Sequence, residues 1–74
     1  MNAYATIEAL SNTTTNGRTV RRAMVELSTA AGQWLGSFLV LGFTAQEIRD
    51  RAYAEADLNM ASKGYTLQSL RDAA

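Results

Sequence analysis

Seventy-four residues make one domain, 1–74, and a core of that size rarely supplies more than about 3–5 kcal/mol, so such chains lean on disulfides, metals or a second subunit. With no cysteine and no histidine, disulfides and the commonest metal ligand are excluded, and association is the aid that remains. Seven basic and seven acidic side chains cancel, which excludes attraction to nucleic acid or anionic lipid by net charge alone.

The first stretch, residues 2–10, carries two periodicities. Ala3, Ile7 and Leu10 share a helical face with Asn2 as cap, while Tyr4, Thr6 and Glu8 alternate against Ala5, Ile7 and Ala9 as in a strand. A short helix is the expectation. Residues 11–17, SNTTTNG, resist helix and form a loop. The alternative is a small N-terminal β-hairpin, because Asn16-Gly17 between Thr13-Thr14-Thr15 and Arg18-Thr19-Val20 is a two-residue turn signature.

Residues 19–41 form the predicted spine, a long central helix. Val20, Met24, Leu27, Ala31, Trp34, Phe38 and Leu41 are spaced alternately by four and three, one seam on a helix, and Leu35, Leu39 and Val40 add apolar surface off it. Thr19 is placed to cap its start and Gly42 to end it. Gly32 and Gly36 would each weaken that helix by roughly 1 kcal/mol, a cost that points to close approach of another helix.

Residues 42–52 can be laid over 64–74, GFTAQEIRDRA over GYTLQSLRDAA. Each copy offers a helix-ending glycine, an aromatic residue, a threonine N-cap and an apolar residue four positions on. The first copy starts a helix over 45–62 with Ile48, Ala52, Ala56 and Met60 as its inner face, Thr44 and Glu47 as a capping box and Glu47–Arg51 as a surface pair. The second predicts a short helix from Leu67 onward. The expected architecture is therefore all-α, a small bundle of three to four helices around the one at about 19–41.

For function, the residue types exclude more than they identify. Without histidine, and with each carboxylate in a polar neighbourhood, no catalytic residue, metal ligand or cofactor site is expected, and the chain is read as non-enzymatic. Arg18, Arg21 and Arg22 are the candidate partner-binding cluster. They crowd the first turn of the predicted spine, where the helix dipole disfavours cations, and suit an acidic protein surface or a phosphate. The spine's apolar circumference exceeds what its short companions can cover, so a homodimer is expected through Met24, Leu27, Ala31, Gly32, Trp34, Leu35, Gly36 and Phe38.

The role expected on these grounds is a small non-catalytic regulator or inhibitor that binds a larger protein. That class includes proteins carried by phages and mobile elements and directed at host defence or transcription complexes. A dimeric helix-turn-helix-like DNA-binding regulator is the alternative, disfavoured by the neutral charge and the single Arg71 on the last helix. A membrane-associated helical protein is third, since the charge-free run over 27–46 is diluted by serine, threonine and glycine. The missing cysteines, and the lack of a signal-peptide pattern, make the cytoplasm the expected location.

Overall fold

Asn16 and Gly17 both take positive φ, 53° and 77°, the geometry a two-residue hairpin turn requires and one that glycine adopts without steric cost. In the computed structural model, which describes residues 1–73, this turn joins two long antiparallel strands, β1 (Asn2–Thr15) and β2 (Arg18–Thr29). The chain turns again at Gly32, whose φ is 87°. There Gly32 N donates to the Thr29 carbonyl at 2.9 Å, and Gln33 N to Thr29 Oγ1 at 3.1 Å. β3 (Trp34–Gly42) then pairs antiparallel with β2. Helix α1 (Ala45–Ser62) carries the chain across the sheet, and β4 (Thr66–Asp72) pairs parallel with β1. The sheet order is β3-β2-β1-β4, so β3 and β4, joined by α1, form its two edges.

The structure corrects the all-α bundle. The stretch 19–41 is strand, turn and strand, and no long central helix exists. Its residues obey a period of two: Ala23, Val25 and Leu27 are buried, whereas Arg22, Met24 and Glu26, which alternate with them, are not. The four-three seam mixed residues from both faces of a sheet, Leu27 from the buried one and Met24 from the other. The left-handed Gly32 also breaks any helix through it. The first segment is likewise strand, with Ala3, Ala5 and Ile7 buried in alternation. The hairpin weighed as an alternative is present, and it is long enough to include all of β1 and β2.

α1 occupies the predicted span, and its buried residues are Ile48, Ala52, Ala56 and Met60. Thr44 Oγ1 accepts from Glu47 N at 3.1 Å, while Glu47 Oε1 reaches back one residue further than a standard box, accepting from Phe43 N at 3.3 Å. Gly64, at φ 82°, follows the helix end, where Tyr65 N donates to the Met60 carbonyl at 2.8 Å. The predicted last helix is overturned: Thr66 opens β4, whose backbone is claimed by the free edge of β1. No helix-turn-helix pair is therefore formed by α1 and the segment after it. Ala74, the last residue of the sequence repeat, lies outside the described residues. Among the described residues, no helix is long and apolar enough to cross a membrane.

One face of the sheet takes α1. Small residues at the contact, Ala3, Ala5 and Ala23 from the strands and Ala52 and Ala56 from the helix, are all but inaccessible and let the backbones approach closely. Met60 and Val25 are the largest fully buried side chains, each contributing about 1.5–3 kcal/mol of burial. The opposite face carries no helix. The register places Met24 beside Leu39 and Arg22 beside Leu41 on that side, with Tyr4 opposite Ser28 and Ser28 opposite Trp34.

Candidate functional site

The register of β1 against β2 slips between Leu10 and Thr13, where β1 carries one residue more than its partner, a bulge that re-aims the neighbouring side chains. Beside it lies a cavity of about 360 Å³, lined by Ile7, Ala23 and Ile48 at its apolar side and by Arg21, Arg22, Arg49 and Asp72 at its polar side. That volume is at the lower end for small-ligand sites, roughly 300–1,000 Å³.

Each basic group arrives from a different local cause. Arg21 and Arg22 are successive residues of β2, so strand alternation sends their side chains to opposite faces, and both residues line the cavity where it meets the bulge. Arg22 Nε donates to the Ser11 carbonyl at 2.9 Å, which fixes the guanidinium against the bulged strand. Arg49 projects from the second turn of α1 and pairs with Asp72 at the end of β4. Asp72 is held there because β4 lies parallel to β1 with Asp72 beside Ile7. Ala45, in the first turn of α1, completes the rim, and the partial positive charge of that helix end adds to the field.

Three arginines and one aspartate among the lining residues leave it net positive. No acidic residue interrupts the chain between Glu8 and Glu26, so the β1–β2 hairpin concentrates positive charge in a molecule whose total is zero. Chemically the arrangement can hold and orient an anion. Arginine suits this, offering a planar fork that meets carboxylate or phosphate with two parallel hydrogen bonds.

Of the three arginines singled out by sequence, Arg21 and Arg22 are thus brought together. Arg18 is not with them: its guanidinium carbon sits 4.1 Å from the centre of the Phe43 ring, a cation–π contact that covers part of the aromatic residue preceding α1. Arg49 was missed, because its spacing from Glu47 and Arg51 marks it only as one charge on a polar helix face. Its role depends on β4 running past it.

The residues expected at a dimer interface are dispersed. Leu27 is in the core, Leu35 and Phe38 pack against that core, and Ala31 and Gly32 lie in the β2–β3 turn. Met24 and Trp34 are on the uncovered face, Trp34 63% exposed. The apolar residues that accompany them there are Leu39 and Leu41, 49% and 45% exposed, which alternate with buried Val40. Alternation within 39–41 was the available signal, obscured by reading three consecutive apolar residues as a helix circumference.

Compared with protein-family models, with curated proteins and with solved structures, the chain matches none.

Proposed function

We propose that the protein is a small non-catalytic regulator, acting as an inhibitor or modulator of a larger protein, and that it docks an acidic segment of that target in the cavity formed by Arg21, Arg22 and Arg49. The observation that carries this reading is that three arginines from two elements line one concavity beside an acid-free hairpin. A carboxylate entering it would gain charge-assisted hydrogen bonds in a partly apolar setting, where they are stronger than on an open surface. Mechanistically, such a protein works by occupancy: it covers the acidic segment and denies it to other partners. The cytoplasmic location is part of the proposal and rests on the absence of cysteine.

The test is a titration of a fluorescent peptide of glutamate and aspartate residues with the wild-type chain and with the Arg21→Ser, Arg22→Ser, Arg49→Ser triple variant. Binding that weakens at least tenfold in the triple variant, with unchanged circular dichroism, supports the reading. Equal binding by the two proteins, or a preference of the wild-type chain for duplex DNA over the acidic peptide, overturns it. Arg18→Ser is the companion variant: it leaves peptide affinity within about twofold, because Arg18 is engaged with Phe43 outside the cavity.

A further inference from the structure

The two edges of the sheet are treated differently. β4, at one edge, meets β1 with a register irregularity and ends in Arg71 and Asp72, both devices that discourage a foreign strand. β3, at the other edge, has neither charge nor proline, and lies within a run without a charged residue from Leu27 to Gln46. Its backbone orientation can be read from one contact: Arg51 Nη1 donates to the Leu41 carbonyl at 2.7 Å, so that carbonyl points away from β2 to the open edge. Strand alternation then turns the backbone groups of Leu39 and Ser37 to the same side. This is a row of donors and acceptors that no strand among the described residues pairs, only its Leu41 carbonyl being met by Arg51, with Leu39 and Leu41 standing beside it on the uncovered face.

We propose that two copies of the chain pair antiparallel along β3 about a two-fold axis at Val40, joining their sheets into one of eight strands. The axis is selected by chemistry on both sides of the strand. With Val40 opposite Val40 of the second copy, Leu39 meets Leu41 of the second copy and Leu41 meets its Leu39, each pair exchanging two backbone hydrogen bonds. Four leucine side chains are thereby gathered on the uncovered face.

On the other face the helices approach each other. α1 runs back along β3, as the contacts of Glu47 near Gly42 and Arg51 with Leu41 show. A four-residue step on the helix, about 6 Å, nearly equals a two-residue step on the strand, about 6.6 Å, so Glu55 stands level with Leu39. Arg51, Ala54 and Glu55 indeed line one groove with Leu39, Val40 and Leu41. The axis at Val40 therefore brings Arg51 opposite Glu55 of the second copy, twice over. An axis at Leu39 would instead set Glu55 against Glu55.

In the single chain Arg51 satisfies the Leu41 carbonyl and pairs with Glu47 at 3.3 Å. In the pair a backbone N–H takes over that carbonyl and Arg51 turns to the opposing glutamate. Arg51 so guards the edge when the chain is alone and contributes to the contact when it is not.

The test uses the intact chain and reads mass by light scattering across a concentration series. A dimer whose dissociation constant rises about tenfold in Arg51→Glu and in Glu55→Arg, and returns to within about twofold of wild type in the double variant, is the expected result. Because the chain has no cysteine, Val40→Cys adds one thiol. The Cα separation of a pair at that axis, about 4.5 Å, is within disulfide range. Oxidation is expected to give covalent dimer far faster than in a Ser62→Cys control. A chain that stays monomeric at several hundred micromolar, a double variant no better than its parents, or faster crosslinking by Leu39→Cys than by Val40→Cys overturns the proposal. The acidic-peptide titration is read separately, since none of these positions lines the basic cavity.

Discussion

Met60 is buried with no exposed surface in a core that is rich in alanine and therefore has few large side chains to replace it. Truncation there leaves a void, and the neighbouring backbones, already close, have little room to collapse. Met60→Ala is therefore expected to cost about 2–5 kcal/mol, a large share of what a domain this small has available. A urea titration followed by circular dichroism measures it. The same scale explains why the arginines were legible and their partner was not. Arg18, Arg21 and Arg22 are adjacent in sequence, and a cluster can be seen without a fold. Arg49 lines the cavity with two of them where β4 passes beside α1 and fixes Asp72 against it, which is a fact about two residues 23 positions apart.

Among the elements, α1 was readable and the strands were misread, for one physical reason. A helix start is written locally: Thr44 accepts from Glu47 N and Glu47 accepts from Phe43 N, all within five residues. Thr44→Ala removes the first of these bonds and is expected to lower stability by about 0.5–2 kcal/mol, measurable as a lower thermal midpoint with native ellipticity retained at low temperature. Strands depend on neighbours distant in the chain. Residues 64–68 repeat much of the pattern of 42–46, yet Thr44 leads into a helix and Thr66 into β4, since only the second arrives beside an unpaired strand. The apolar residues of β2 and β3 happen to satisfy a helical spacing as well as a strand one, and the deciding information was in the turns. Asn16-Gly17 is a hairpin signal in the sequence, and Gly32 acts as a second reversal rather than as a site of helix contact.

At the level of the whole molecule, packing is uneven. The principal extents are 43 × 23 × 17 Å, and the long dimension follows the hairpin, whose outer part beyond the bulge has only exposed or partly buried residues from Ser11 to Val20. Hydrogen exchange should resolve two populations. Amides of Val25 and Ala5, in the covered centre of the sheet, are expected to exchange at the rate set by global unfolding. Those from Thr13 to Val20 are expected to exchange faster by at least a hundredfold, because opening the arm exposes almost no apolar surface. Uniform protection along β1 and β2 would show that the arm is bound to something else in solution, and the basic cavity at its base is the place to look.

The parallel seating of β4 beside β1 has a consequence for how the polypeptide is made. The hairpin of β1 and β2, and β3 after it, can form from contacts near in sequence, but β1 has its second neighbour only after the helix and β4 have been synthesised. Until then a nascent chain displays an open seam along its first strand, and an incomplete translation product would display it permanently. Ribosome-stalled or prematurely terminated fragments of this protein should therefore be the species that chaperones hold and proteases clear.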